Sequence, residues 1–197
     1  WGYNLSGQLG DGTTTNRMTP APVPLLGNVT AIALGGAGAL ALKSDGTVWG
    51  WGGAFGSLVP VAMAELGNNV TRIAAGFVHY LVLKSDGTVW ARGENDAGQL
   101  GDGTTAARAS FAAGTGATGV VGIGAGRQHS LAIRGDGSVI AWGLNFDYQL
   151  GNGITTNQLL PGAVLGVGSV GTLNLDLNAS SFTPQQGVSL GAIRESN

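Results

Sequence analysis

The sequence predicts an all-β protein in which several similar β-sheets stack face to face. Three ungapped copies of one motif begin at Gly35, Gly76 and Gly126, and repetition of this kind indicates a repeat protein. Each copy holds an Asp-Gly pair between two apolar runs, which is typical of a β-hairpin because Gly adopts a positive φ at little cost. Large and small apolar residues alternate within the runs, as in residues 39–42, so both faces of each strand are predicted to be buried.

The hairpins are placed by Asp-Gly pairs at equivalent positions of the three copies. The pairs are Asp45-Gly46, Asp86-Gly87 and Asp136-Gly137. In the second copy, residues 70–74 and 80–83 are short apolar runs, and residues 85–88 separate the latter from the apolar residues 89–91. In residues 48–52 Trp alternates with Gly or Val. Small residues opposite large ones allow neighbouring sheets to pack closely.

A second repeated pattern, rich in Gly, Asp and Thr, marks the start of each unit. It begins at Trp1 and recurs at Arg92 and Trp142, whereas the unit that starts at Trp51 lacks its Gln-Leu-Gly-Asp-Gly stretch. Unit starts near 1, 51, 92 and 142 give spacings of about 50, 41 and 50 residues, which lie in the range of propeller blades. We therefore assign residues 1–168 to repeat units.

The loops of this second pattern are candidate partner-binding loops. Asp-Gly and Asn-Gly in them are first of all turn chemistry, and a purely structural role of the individual residues stays open. Equivalent loops of an array nevertheless project toward the same face, where a partner could contact them. The candidate residues are Asn4, Gln8, Asp11, Asn95, Gln99, Asp102, Asn145, Gln149 and Asn152.

Composition excludes several functional classes. Nine basic against eleven acidic residues give a net charge of −2, so no basic surface for nucleic acid is predicted. No apolar run is long enough to span a membrane. The absence of Cys excludes disulfides and thiolate metal sites. We predict no cofactor.

Residues 95–105 read Asn-x-x-Gly-Gln-Leu-Gly-Asp-Gly-Thr-Thr, and residues 74–89 read Ala-Ala-Gly-x-x-His-x-Leu-x-Leu-Lys-Ser-Asp-Gly-Thr-Val. This combination resembles the regulator of chromosome condensation repeat family. The resemblance implies a β-propeller of four-stranded blades, usually about seven in a closed ring. Here three full hairpin copies and part of a fourth unit predict an incomplete ring of about three and a half to four units. The chain is then part of a longer propeller, or copies self-associate to close the ring.

The resemblance implies protein binding on one face of the ring. We predict a protein-protein interaction scaffold, and the variety of the repeats resembles bacterial members of the family. A location at the cell surface or outside the cell is inferred from low charge, a composition rich in Gly, Thr and Asn, and a tail that resembles the lead-in to a bacterial surface module; a cytoplasmic location stays open. One alternative is a guanine-nucleotide exchange regulator of a small GTPase, although the protruding insertion and basic tail of the founding members are not visible here. A second alternative is a secreted protein inhibitor of an enzyme.

Residues that could support catalysis have structural interpretations. His79 and His129 occupy equivalent positions, and Gly38 occupies that position in the first copy, so we expect each histidine to bond backbone in an adjacent loop. Ser189 lies in a Gly-x-Ser-x-Gly sequence. A nucleophile elbow requires a histidine later in the chain, and no histidine follows Ser189. We therefore predict no catalytic residue and no enzyme.

Glu94, Asp96 and Asp102 form an acidic group that could hold calcium. They lack the spacing of a known calcium loop and do not recur in the first unit, so we predict a solvated loop and no metal site.

The last segment, residues 169–197, lacks the repeat motif. Residues 172–178 alternate with period two, which predicts a half-exposed strand. This segment is interpreted as a linker or the start of another β module.

Overall fold

The protein is described by a computed structural model that covers residues 1–114 and 116–166. This part of the chain is all-β, with two short 3-10 helices at Gly53–Phe55 and Ala64–Leu66. None of its helices has the length and apolar character needed to cross a membrane. The strands are β1 (Val29–Leu34), β2 (Gly38–Lys43), β3 (Val48–Gly52), β4 (Ser57–Ala62), β5 (Val70–Ala75), β6 (His79–Lys84), β7 (Val89–Gly93), β8 (Arg108–Ala113), β9 (Val120–Ala125), β10 (His129–Arg134), β11 (Val139–Gly143) and β12 (Gln158–Ala163).

The strands form three antiparallel four-stranded sheets, each from four consecutive strands in sequence order. These sheets are the blades β1–β4, β5–β8 and β9–β12. The predicted Asp-Gly hairpins join the second and third strand of each blade. In the first, Asp45 Oδ1 accepts hydrogen bonds from the Thr47 backbone N at 3.0 Å and Oγ1 at 2.6 Å. Gly46 follows with φ 79°, as the turn requires.

Strand pairing in the first blade places large side chains beside small ones. Trp49 and Trp51 pair with Ala41 and Ala39, and Leu40 pairs with Gly50. One face of the blade therefore carries tryptophans and alanines and the other carries leucines, which agrees with the predicted alternation. Each face can approach a neighbouring sheet closely because small residues leave room for large ones.

Two apolar layers hold the three blades together. The leucine face of the first blade packs against Val70, Tyr80 and Val82 of the second. The opposite face of the second blade, with Leu81 and Leu83, packs in the same way on the third, where Trp142 is buried. Each buried aliphatic side chain contributes about 1.5–3 kcal/mol to folding, so the blade interfaces are the main source of stability.

The described residues form an arc and not a closed ring. Ile73 and Ile123, at equivalent positions of the innermost strands β5 and β9, pack against the preceding blade. Their counterpart in β1, Ile32, is 66% exposed, and its neighbour Leu34 is 69% exposed. Two buried faces are predicted from residues 39–42 and 48–52; β1 differs from these strands, because nothing in the described residues covers its outer face.

Blades and sequence units are out of phase. The units that start at Trp51, Arg92 and Trp142 begin within β3, β7 and β11, so each unit joins the outer part of one blade to the inner strands of the next. Residues 1–17 correspond only to the outer part of a blade. Gly2 pairs with Arg17, and Gly93 of β7 pairs with Arg108 of β8 in the same way. The segment 169–197, its predicted strand and Ser189 lie outside the described residues.

A candidate partner-binding face

Two kinds of connection lie at one end of the blades, which we call the loop face. It comprises the turns 35–37, 76–78 and 126–128 between first and second strands, and the loops 53–56, 94–107 and 144–157 between third and fourth strands. The equivalent loop 3–16 is closed by the bridge between Gly2 and Arg17. Backbone hydrogen bonds join the two sets: Glu94 N donates to Val78 O at 3.0 Å, and Leu144 N donates to Gln128 O at 2.8 Å. The Asp-Gly turns lie at the opposite end, which we call the turn face.

Three of these loops are long, 3–16, 94–107 and 144–157, and we call them the first, second and third long loops. One asparagine organises each of them. In the second long loop, Asn95 Oδ1 accepts from Leu100 N at 2.9 Å, and Nδ2 donates to Thr104 O at 3.0 Å and Ala106 O at 3.1 Å. Asn4 and Asn145 make the equivalent bonds. A single amide therefore fixes both branches of the loop, since it supplies acceptor and donor groups at once.

The glutamines and the following acidic residues complete the same frame. Gln99 Oε1 accepts from Ala97 N at 3.0 Å, and Gln8 and Gln149 accept at the same position of their loops. Asp11 accepts from Thr13 and pairs with Arg17 at 2.6 Å, and these contacts lower the pKa of Asp11 to about 2. The equivalent residue in the third long loop is Asn152, which accepts from Ile154 N at 3.3 Å.

Asp102 repeats the pairing of Asp11 in a more buried place. Arg108 lies 2.7 Å from its Oδ2. Burial alone would raise the pKa of Asp102, but hydrogen bonds from Thr104 and Asn95 and the charge of Arg108 outweigh it and lower the pKa. The carboxylate therefore stays charged inside the loop and is occupied by its own partners.

Several predicted contact residues are buried, and the prediction is corrected for their side chains. Asn4, Asn95, Asn145 and Gln99 are each 0% exposed. The asparagine amides bond loop backbone through both of their polar atoms, and Gln99 does so through Oε1. They build the loops and do not present a surface. Gln8, Gln149 and Asn152 are partly exposed.

The side chains that the loop face does expose differ from one repeat to the next. At one equivalent position of the long loops stand Leu5, Asp96 and Phe146, all exposed. At the tip of the turns the exposed residues are Phe77 and Arg127. Sequence reasoning missed these residues because it followed the constant positions; the signal was the variation between copies at otherwise matching sites.

An open groove of about 500 Å³ lies where the innermost strands of the three blades meet. Leu34, Phe77 and Arg127 line it together with backbone of the glycine-rich turns. The Arg127 guanidinium lies 5.6 Å from the Phe77 ring centroid, a cation–π distance. The groove therefore combines an apolar wall with one positive charge.

Side chains of the third strands attach each loop to the next blade. Trp51 Nε1 donates to Gln8 O at 2.8 Å, and Trp142 Nε1 donates to Gln99 O at 2.9 Å. Arg92 occupies the equivalent position in β7 and donates to Ala54 O of the short loop at 2.8 Å. The loop face is thus held rigidly against the blade stack.

His79 lies in a buried polar contact between the second and third blades. Its Nε2 lies 2.8 Å from Ser130 Oγ, which donates to Gln99 O at 2.9 Å. The hydroxyl has one proton, so His79 Nε2 is the donor to Ser130 and the hydroxyl is not activated as a nucleophile. The expected bond to loop backbone is therefore made through Ser130 and not directly.

Burial controls the chemistry of both histidines. It lowers the pKa of His79 to about 4 and also lowers the pKa of His129, because a charged imidazole loses its hydration inside the protein. His79 and Ser130 are both 0% exposed. This histidine–serine pair is therefore neutral and closed to substrate.

The acidic residues of the second long loop do not converge. Asp102 points into the loop toward Arg108, whereas Glu94 and Asp96 are exposed. Across residues 1–114 and 116–166, no three acidic or histidine side chains are grouped so that they could hold a metal ion.

Solved structures with the same fold come from human and yeast proteins. Human WBSCR16 is 26% identical with a TM-score of 0.74, over 84% of this chain and 47% of its own. Prp20p from Saccharomyces cerevisiae, in a study of its binding to Gsp1p and histones, is 24% identical with a TM-score of 0.72, over 85% and 46%. Yeast RCC1 (Prp20) bound to Kap60 is 24% identical with a TM-score of 0.73, over 85% of this chain and 44% of its own. The chain thus spans less than half the length of these proteins.

Two family models for the regulator of chromosome condensation (RCC1) repeat match the sequence. One matches residues 70–99 and 120–149, and the other matches residues 1–42, 86–133 and 136–191. The last match extends beyond residue 168, where we placed the end of the repeat units. These matches cover most of the chain and agree with the propeller blades and an arc that does not close. The chain therefore belongs to the regulator of chromosome condensation repeat family.

Proposed function

We propose that this chain is a protein-interaction scaffold that binds its partner with the loop face. The proposal is supported by a difference between the constant and the variable positions of the loops. The asparagines common to the loops, Asn4, Asn95 and Asn145, are each 0% exposed and hold the backbone. The exposed positions differ between equivalent loops, as in Asp96 and Phe146. A constant frame that presents different side chains is suited to recognising one partner surface.

The proposal is tested by comparing the two faces of the propeller. The chain is used as bait, and each captured protein is identified, purified and titrated against variants. Phe77→Ala and Arg127→Ala alter the loop face, and Asn68→Ala and Ser44→Ala alter the turn face. We expect the loop-face variants to weaken binding about tenfold or more, as central interface residues do, and the turn-face variants to have little effect. Loss of binding only in the turn-face variants would refute the proposal.

The rival function is regulation of a small GTPase. Prp20p, whose published structure concerns its binding to Gsp1p and histones, shares the fold at 24% identity. The two functions are separated by adding the chain to a small GTPase loaded with a fluorescent guanine nucleotide. Faster nucleotide release would favour an exchange regulator, whereas a scaffold or an enzyme inhibitor would leave release unchanged.

We also propose a bacterial origin, which the repeat variety suggests, and a location outside the cell, which composition suggests. The inferred location is tested by fractionating cells of the source organism and probing the surface and culture medium with an antibody against the chain. A signal confined to the cytoplasm would contradict it.

A further inference from the structure

Two of the long loops rest on the outermost strand of the following blade through a glycine. Gly7 and Gly98 are buried and have φ of 74° and 81°. A Cβ at Gly7 would lie 3.3 Å from Leu58 Cα in β4, and one at Gly98 would lie 2.7 Å from Leu159 Cα in β12. At Gly98 the contact is with backbone, so no choice of neighbouring side chain would relieve it, whereas at Gly7 the nearest atom is Leu58 Cδ2.

A hydrogen bond completes each of these contacts. Gly12 N donates to Leu58 O and Gly103 N donates to Leu159 O, both at 3.0 Å. The glycine and the bond together set the distance between a loop and the next outer strand. A residue larger than Gly at the Gly98 position is incompatible with the same spacing, whereas at the Gly7 position Leu58 would have to shift.

The third long loop has Tyr148 at this position. Tyr148 has φ 60°, so it adopts the left-handed conformation that its glycine counterparts adopt, and its side chain is 62% exposed. An outer strand placed against this loop, as β12 is placed against Gly98, would collide with its Cβ. The third loop is therefore not built to receive a further blade in the register that β12 takes against the second loop.

The tyrosine is not required for the loop to form. Tyr148 N donates to Asn145 O at 3.2 Å, and Asn145 Oδ1 accepts from Leu150 N at 3.0 Å, the same bonds that the loop with Gly98 makes. Glycine would give this backbone without the cost of a side chain at positive φ. Non-glycine residues held at positive φ cluster at functional sites.

The surroundings of Tyr148 define what it could bind. Phe146 is 69% exposed and Ile154 is 48% exposed on the same loop, whereas the second loop has Asp96 and Thr104 at these positions. The carboxylate of Asp147, between Phe146 and Tyr148 in the chain, is exposed and makes no ion pair with any residue that the structure describes. An apolar patch beside a free carboxylate complements an apolar segment flanked by Lys or Arg.

We propose that Tyr148 and Phe146 form the principal contact of the loop face with a partner segment that presents an apolar side chain next to basic residues. This inference rests on the proposed function, because it names the part of the loop face that recognises the partner. Aromatic side chains of this kind dominate binding energy in protein interfaces.

The test uses a random peptide library displayed on phage, selected against the full chain. Enriched peptides are synthesised and titrated against the full chain, Tyr148→Gly, Phe146→Ser and the matched control Leu5→Ala, which changes the exposed apolar residue of the first long loop. We expect peptides with an apolar residue beside Lys or Arg, weakened about tenfold or more by Tyr148→Gly and Phe146→Ser and unaffected by Leu5→Ala. Tyr148→Gly should keep or raise Tm, because it removes strain.

Each other outcome counts against the inference. Peptides that bind equally to Tyr148→Gly and Phe146→Ser, but are lost in Phe77→Ala, would overturn it and leave the loop face as the binding surface. A clear fall in Tm for Tyr148→Gly would show a structural role instead. Peptides that map to the turn face would overturn the proposed function as well.

Discussion

Replacing Asn95 by Ala tests whether the repeated asparagines are the frame of the loops. The substitution removes the acceptor of Leu100 N and the donor to Thr104 O and Ala106 O. Leu100 is 2% exposed, so its N–H would be left buried without a partner, at a cost of about 1–3 kcal/mol. Thr104 and Ala106 are exposed, so water can replace the donor. The small cavity adds about 1 kcal/mol, and we expect a total loss of about 2–4 kcal/mol.

Asn4 provides a matched control in the first loop. It makes the equivalent bond to Leu9 N at 2.8 Å, but Leu9 is partly exposed, so water can reach the freed N–H. We expect Asn4→Ala to cost about 1 kcal/mol. The free energy of unfolding is measured by urea denaturation followed by Trp fluorescence, and hydrogen exchange of the Leu100 amide reports the local effect.

Equal losses for Asn95→Ala and Asn4→Ala, or a loss below about 1 kcal/mol for Asn95→Ala, would refute the reasoning. The same variants address binding. Since both side chains are 0% exposed, any weakening of partner binding should accompany a change in loop stability and not occur alone.

Two further predictions concern pH and the hairpin turns. The pKa of His79 is about 4 in the folded protein, against an ordinary value of 6.5. As pH falls, the unfolded chain therefore takes up a proton before the folded protein does. The free energy of unfolding should decrease between pH 6.5 and 4 by up to about 3 kcal/mol. This drop, followed by urea denaturation at a series of pH values, should largely disappear in His79→Gln and persist in His129→Gln; an unchanged profile in His79→Gln would contradict the assignment. Gly46→Ala should lower the free energy of unfolding by about 2 kcal/mol or more, and Gly56→Ala by only about 1 kcal/mol. Both glycines have positive φ, but only a Cβ at Gly46 would meet the backbone carbonyl of Asn68. Thermal denaturation of the two variants measures the difference, and equal shifts in Tm would show that the carbonyl contact has no effect.

The fold could be predicted from sequence because its determinants are local and repeated. The Asp-Gly pairs define the hairpins through the φ preference of Gly46 and its counterparts. The alternation of Leu40 and Ala41 indicates sheets covered on both faces. Such signals depend on neighbours along the chain, so three copies reinforce one another. The loops were likewise recognised as equivalent and placed on one face.

The direction of individual side chains was decided only by tertiary structure. Asn95 and Gln99 have the composition of a contact surface, yet both amides turn inward: Asn95 bonds Leu100 N, Thr104 O and Ala106 O of its loop, and Gln99 Oε1 accepts from Ala97 N. Ile32 has the sequence of a buried strand residue but is exposed, since burial depends on a neighbouring sheet.

Tyr148 is a second residue whose environment depends on contacts that are distant in the chain. The sequence displays a Tyr where Gly7 and Gly98 stand, but the consequence depends on Leu58 and Leu159, which are distant in the chain. Local sequence determined the elements and their repetition in this protein; the contacts between blades decided which of the repeated residues face the core and which are free to meet a partner.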